Sequence, residues 1–369
     1  MIKKMLFFLF LLLQLSAFSQ YKPLSEKATV SVFTCGRGNQ LYSTFGHTAI
    51  RIKDTENDLD VVYNYGTFDF KTENFYLKFV KGDLQYFINA TSYEDFVYEY
   101  QMENREVVEQ TLNLSLVKKQ KLFELLTNSL TSDENHYTYK FIDRNCTTKV
   151  VDKINESVGK PFLKKVDDTS ISYRQLFYPY FDNYFWYKLG INIIFGAKTD
   201  AKAQKLFLPV ELMNSLDKAV VDGTPFVIKR EILVKGNKLE SNFSFVNSIY
   251  FIALLLLFLV IIKNRVLYFS YLFILGILGL FFCLVGLYSL HQELLWNYNA
   301  LLFNPLFVFF PFINGKWFKN IVVFSLFSLL IYILILIGKP HLYLMIPFIL
   351  SNGFILFRFL KDYKKTFKK

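Results

Sequence analysis

The sequence predicts two unlike halves, an exported α+β domain followed by an all-α transmembrane domain of five helices. Three observations carry that prediction. The chain opens on a basic pair and a short apolar run, its middle mixes strand-like with helix-like periodicity, and its last third is a series of long apolar stretches. Apolar types make up 53% of the 369 residues and charged types 20%. With a mean hydropathy of +0.26, these figures exclude a disordered chain, a collagen and a coiled-coil rod.

Met1-Ile2-Lys3-Lys4 precedes the apolar run Met5–Leu13, and Ala17-Phe18-Ser19 sets small residues two positions apart. This pattern predicts a signal peptide over residues 1–19. The other reading is an uncleaved anchor, but the run is short for a hydrocarbon core of about 30 Å. No cysteine follows the cleavage point, so the chain is not itself a lipoprotein of the usual kind.

Residues 20–244 alternate elements. Ala28–Thr34, His47–Ile52, Asp60–Tyr65, Asp83–Ala90 and Val107–Leu114 read as strands, with Lys53–Leu59 a polar connection between the second and third. Helices are predicted at Ser92–Glu103, Ser115–Leu130 and Asn145–Val158, the last stopped by Gly159 with Pro161 beyond. Residues 170–222 read as helical and aromatic-rich, from Tyr173 through Tyr187. Those aromatics either line a lipid-facing groove or bilayer interface or pack into the core.

Five apolar stretches follow, at Phe245–Ile262, Val266–Leu290, Asn299–Ile313, Ile321–Ile337 and Leu342–Leu360. The third is short and holds Pro305 and Pro311, so a kinked or re-entrant path is the alternative to a full span. Lys263 and Arg265, Lys316 and Lys319, and the basic tail from Arg358 fall on one side if all five cross and residues 20–244 are outside. The net charge of +11 is concentrated here: residues 245–369 hold 11 basic and 2 acidic residues, whereas residues 20–244 balance at 29 and 29. The basicity therefore reflects membrane topology and gives no reason to expect a nucleic-acid partner.

Chemistry-bearing residues are few. Of three cysteines, Cys283 lies in the second apolar stretch, leaving Cys35 and Cys146 with His47 and His136 in the exported domain. No cluster has zinc-ligand spacing. A Cys35–Cys146 disulfide is one reading, and a thiol nucleophile activated by a distant histidine is the other. Cys146 begins a predicted helix, where the macrodipole favours the thiolate and backbone N–H groups can hold an oxyanion. His47 follows Gly46 at a strand start, a fixed position suited to a general base.

Further residues carry a resemblance. Phe33-Thr34-Cys35-Gly36-Arg37-Gly38, Leu41 through Arg51 with its Gly46-His47 pair, Val62 through Phe70 with Asn64-Tyr65-Gly66, Asn145-Cys146 and Leu208-Pro209 together resemble the N-terminal domain of the lipoprotein N-acyltransferase Lnb family. The five-stretch segment, with His291 through Pro305, is similar to the membrane domain attached to that family. The resemblance implies a permuted papain-like fold, of the lecithin:retinol acyltransferase and NlpC type, in which the histidine strand precedes the cysteine helix. It implies Cys146 as acyl-accepting nucleophile and His47 as its base. Asn64 is the candidate to orient the imidazole, or else a strand-end residue; no role is assigned to Asp69, Arg144 or Asn145.

The implied reaction moves an acyl chain from a glycerolipid ester through a Cys146 thioester to the amine of a diacylglyceryl-cysteine. It needs no metal or nucleotide cofactor. The implied partners are bacterial lipoproteins and membrane lipids. The implied location is the inner membrane, multi-pass, with residues 20–244 in the periplasm and the C-terminus in the cytoplasm. Two other classes compete: a papain-like thiol hydrolase of cell-envelope lipids or peptidoglycan peptides, and a membrane binding protein with a Cys35–Cys146 disulfide. The loop carrying His291, Gln292, Glu293, Trp296, Asn297 and Asn299, with Asn304 beyond, reads either as the membrane-side floor of the active site or as an interfacial anchor with solvated polar groups.

Overall fold

The structure, a computed structural model, describes residues 22–237 and 243–366. The expected signal peptide, residues 1–19, lies outside the described residues. In the exported half the elements are β1 (Thr29–Cys35), β2 (His47–Asp54), β3 (Leu59–Thr67), α1 (Phe75–Lys81), β4 (Gln85–Ser92), α2 (Tyr93–Met102), β5 (Val107–Leu112), α3 (Leu116–Thr131), β6 (His136–Thr138) and α4 (Cys146–Val158). There follow α5 (Tyr173–Phe177), α6 (Phe185–Ile194), α7 (Pro209–Lys218), the small pair β7 (Val220–Val221) and β8 (Thr224–Pro225), and β9 (Val227–Val234).

Seven strands form one antiparallel sheet in the order β6-β4-β3-β2-β1-β5-β9. Alternation along the central strand β1 fixes its two faces. Val30 and Val32 join Ile50, Ile52, Leu122, Leu126, Val150, Ile154 and Leu212 in the main core, under α3, α4 and α7. Phe33 and Cys35 point the other way, into a smaller core with Ala49, Val62, Phe96 and Tyr100 under α2. The helix starts follow from the caps the sequence supplies: the side chains of Ser92, Ser115 and Asn145 accept from the backbone N–H three residues on.

The expected strands and helices up to residue 158 are present with small shifts at their ends. The short α1, β6 and β9 are additional elements. Residues 170–222 are not one helical run. Pro179 and Gly196 interrupt it, and 3₁₀ turns at Tyr178–Phe181 and Ala197–Asp200 separate α5, α6 and α7. Its aromatics divide: Tyr173, Phe177 and Phe181 are core, while Phe185 packs among the C-terminal apolar helices.

The C-terminal half holds α8 (Ile249–Ile262), α9 (Arg265–Tyr288), α10 (Gly315–Leu336) and α11 (Leu342–Thr366). Three of these helices are long and apolar enough to cross a membrane, over Arg265–Tyr288, Gly315–Leu336 and Leu342–Tyr363; α8 is shorter, at 14 residues. The third expected helix, Asn299–Ile313, does not form. Its place is taken by 3₁₀ turns at Tyr298–Leu301 and Pro305–Phe309. Pro305 and Pro311 lack the N–H an α-helix needs, and Asn297 and Asn304 cap the short turns with their side chains. This segment lies along α9, where a Cβ on Gly279 would stand 1.6 Å from the Phe303 carbonyl oxygen.

The two ends of this bundle differ. At one end Arg265, Lys319 and Arg358 lie over the rings of Phe269, Tyr363 and Tyr268. At the other, Ser289, Tyr298 and Lys339 bond to the sheet domain and its appended helices.

Candidate active site

α4 begins at Cys146 because Asn145 forms a capping box with Thr148. The Thr148 N–H donates to Asn145 Oδ1 at 2.9 Å, and the Asn145 N–H donates to Thr148 Oγ1 at 2.8 Å. The Asn145 amide also donates to the carbonyls of Phe141 and Phe207, both at 2.9 Å. Asn145 is thus a fully engaged cap, which accounts for its place beside Cys146 without a chemical role. The N–H groups of the first helical turn have no intrahelical partner. With that of Thr148 taken, those of Cys146 and Thr147 make no hydrogen bond among the described residues.

β2 carries the histidine. Gly46 precedes it with φ +83°, and a Cβ there would lie 2.4 Å from the Cys35 carbonyl oxygen, so the turn into β2 demands glycine. His47 pairs with Cys35 across β1, and Ala49 pairs with Asn64 across β3. The side chains of His47 and Asn64 therefore share a sheet face, and His47 Nε2 lies 3.2 Å from Asn64 Oδ1. The amide of Asn64 is oriented by its NH₂, which donates to the Val62 carbonyl at 3.4 Å and the Thr91 hydroxyl at 3.5 Å. An acceptor oxygen facing Nε2 selects the tautomer with the proton on Nε2, which leaves Nδ1 with a lone pair.

Thr147 and Thr48 hold helix and strand together, their hydroxyls 3.1 Å apart. The Cys146 thiol is thereby brought near His47, close enough for each to shift the other's titration. Burial pushes the thiol up, but the charge and hydrogen bond of His47, helped by the Thr48 backbone N–H and the Thr147 hydroxyl, bring it below its usual range. Burial pulls His47 down, but the Cys146 charge and hydrogen bond and the Asn64 contact leave it above its usual value. The pair therefore favours thiolate and imidazolium. Cys35 is the contrast. It is buried against Tyr100 on the α2 side, and burial raises its thiol to about 12. Cys35, Cys146 and Cys283 are all free thiols, not the Cys35–Cys146 disulfide that one reading allowed.

The structure thus brings together the three expected residues Cys146, His47 and Asn64. It leaves His136 exposed at β6 beside Phe87, Arg144 over the Tyr137 ring, and Asp69 holding the Lys71 N–H in a turn. Additional residues complete the surroundings. Gly66, at φ +89°, puts its backbone against the thiol: a Cβ there would be 3.5 Å from Cys146 Cβ and 3.9 Å from the Tyr137 hydroxyl. Tyr139 is also close to Cys146 and stacks on Tyr86 at 4.4 Å. No periodicity marks Tyr137 and Tyr139 in the sequence, because β6 is only three residues long.

The loop 289–299 meets this domain directly. The Leu290 N–H donates to the Lys81 carbonyl at 2.6 Å, Lys140 Nζ donates to the Leu290 carbonyl at 2.8 Å, and the Gly196 N–H donates to the Glu293 carbonyl at 2.7 Å. Asn297, Asn299 and Asn304 are buried and hydrogen-bonded, so they are not the solvated groups of a simple anchor. Among the described residues no group of three or more His, Cys, Asp or Glu could hold a metal ion.

Residues 18–178 match the family model described as the Lnb N-terminal periplasmic domain. That span runs through α5 and includes His47, Asn64 and Cys146. No curated protein and no solved structure matches the chain.

Proposed function

From the match of residues 18–178 to the Lnb N-terminal periplasmic domain, we propose that the chain is a membrane-anchored lipoprotein N-acyltransferase. The observation that carries this is a thiol at a helix start whose proton is drawn to a histidine, itself held by Asn64. His47 Nδ1 takes the Cys146 proton, and the thiolate attacks an ester carbonyl of a glycerolipid. The N–H groups of Cys146 and Thr147 face the developing oxyanion. As the C–O bond breaks, the imidazolium returns its proton to the departing alcohol, leaving a thioester. The uncharged amine of a diacylglyceryl-cysteine then attacks that thioester, His47 accepts the amine's proton, and an amide forms with the thiol released. Two steps through a thioester replace one slow aminolysis.

In this reading the sheet domain is of the permuted papain-like type, with the histidine strand before the cysteine helix. The C-terminal half crosses the inner membrane five times, four times as helix and once as the largely irregular segment Asn299–Ile313 with its two 3₁₀ turns. The basic cluster at the far end of the bundle supports a cytoplasmic C-terminus.

The test is mass spectrometry of the N-terminal peptide of a resident lipoprotein, with the intact protein, without it, and with Cys146→Ser. The amide-linked chain should appear only with the intact protein. A fully N-acylated peptide in the Cys146→Ser strain would end the proposal.

A further inference from the structure

The connection between β3 and β4 carries an unusual surface. Phe70, Tyr76, Leu77, Phe79 and Val80 are all exposed, Tyr76 by 75% and Leu77 by 63%. Such a contiguous apolar patch is costly in water and marks a partner surface. Its position identifies the partner. The carbonyls of Phe79, Val80 and Lys81, at the end of α1, are bonded by the His291 ring at 2.8 Å, the Ser289 hydroxyl at 3.1 Å and the Leu290 N–H at 2.6 Å. These residues directly follow α9, whose end exposes Leu287 by 86% and Tyr288 by 53%. The patch is therefore continuous with the lipid-facing side of a membrane-crossing helix. Lys71 and Lys78 lie in the same stretch and are balanced by Asp69 and Glu73, so the surface is apolar without a net charge.

The same segment leads to the thiol. Phe70 and Phe75 have ring centroids 5.0 Å apart, Phe68 lies 5.0 Å from Phe70 and 5.4 Å from Tyr86, Tyr86 stacks at 4.4 Å on Tyr139, and Tyr86, Tyr139 and Cys146 pack against the same core. Gly66, against Cys146, is only four residues before Phe70, a reach of at most about 13 Å.

We infer that residues 68–80 form a ledge seated in the outer leaflet, and that the row Phe70, Phe68, Tyr86, Tyr139 conducts the ester-linked acyl chain of a bilayer glycerolipid to Cys146. This rests on the acyl-transfer reading. The acyl carbon leaves its ester oxygen and bonds to Sγ, and the thiol proton passes through His47 to the departing alcohol. The ledge adds no chemistry and acts by binding the chain.

Two measurements on the full chain in phosphatidylethanolamine–phosphatidylglycerol vesicles test it. In the first, Leu77→Cys in a Cys146→Ser, Cys283→Ser background carries an environment-sensitive fluorophore. Blue-shifted emission quenched by shallow spin-labelled lipids is expected, and water-like, unquenched emission overturns the ledge. In the second, Tyr76→Asp with Leu77→Asp should reduce Cys146 thioester formation at least about tenfold, with alkylation of Cys146 by iodoacetamide unchanged. The equally exposed Val117→Asp on α3 should do neither. Thioester formation at the wild-type rate in the double variant overturns the conduit. If the wild type itself forms no thioester, the acyl-transfer reading and the conduit fall together, and the fluorophore still decides whether the ledge is in the bilayer.

Discussion

Removing the imidazole from His47 should move the Cys146 thiol from one side of its ordinary value to the other. In the intact protein His47 is the largest of the influences that oppose burial. In His47→Ala, burial, the largest influence, is opposed only by the smaller effects of the Thr48 N–H and the Thr147 hydroxyl, so the thiol is expected to rise above 9.0. The same protein supplies a comparison, because Cys35, a buried thiol whose hydrogen-bond partner is Tyr100, lies at about 12. At pH 7 a thiol at 9.0 is about 1% ionised and one at 12 about 0.001%. The pH window follows from the directions of the two shifts. A lowered thiol keeps its negative charge to some way below pH 9.0, and a raised imidazole keeps its positive charge to some way above pH 6.5, so the two shifts widen the range over which the pair is ionised from both sides. Iodoacetamide alkylation of Cys146, read by peptide mass spectrometry in a Cys283→Ser background, measures this directly. The parent should react with a rate that has levelled off below pH 9. His47→Ala should react at least about tenfold more slowly at pH 7 and accelerate about tenfold per pH unit up to pH 9. Superimposable pH profiles for the two proteins would refute the reasoning, since the thiol would then owe nothing to His47.

Asn64→Ala should leave the protein folded but let the imidazole turn, lowering kcat of lipoprotein N-acylation by about 100-fold; an unchanged kcat would reduce Asn64 to a strand residue. Gly46→Ala should cost stability, about 1–3 kcal/mol, through the positive φ and the 2.4 Å approach to the Cys35 carbonyl, read as a lowered melting temperature. Cys35→Ser should retain N-acylation, because the Cys35 thiol, although opposite His47 in the strand register, is buried against Tyr100 and held protonated. A phosphatase fused after Lys369 should be inactive, as expected for a cytoplasmic C-terminus, and an active fusion would contradict five crossings.

The sequence made some parts of this legible because one residue controls each. Ser92, Ser115 and Asn145 cap the helices they precede, and Gly46 and Gly159 occupy positive φ. The site was legible as Cys146, His47 and Asn64 only through the joint occurrence of motif blocks, since nothing local in Asn64 says that strand register will place it beside His47. What stayed hidden depends on distant partners. α1 has its last carbonyls bonded by residues 289–291, more than 200 positions away. β9 exists because β5 offers an open edge. The stretch Asn299–Ile313 has the composition of a span, but Asn297 and Asn304 each cap a 3₁₀ turn. Apolar content reports burial in lipid or protein, and does not by itself select the α-helix.

The attachment between the two halves bears on how a substrate reaches the thiol. Arg174 is fully buried and bonds Asp200 at 2.7 Å, the Asn192 side chain at 3.1 Å and the carbonyls of Phe195 and Gly196. Asp200 in turn accepts from Tyr298 at 2.7 Å and Lys339 at 2.5 Å, from two different loops of the C-terminal half. A third attachment is the bonding of residues 289–291 to α1. Contacts at two separate places on the exported half, Asp200 and the end of α1, resist swinging, and removing one member of a buried ion pair costs about 3–5 kcal/mol. Domain swinging is therefore an expensive way to deliver Cys146 to a lipid. Lateral diffusion in the bilayer costs nothing comparable, so on the acyl-transfer reading proposed above the lipid would travel to a thiol held at a fixed height.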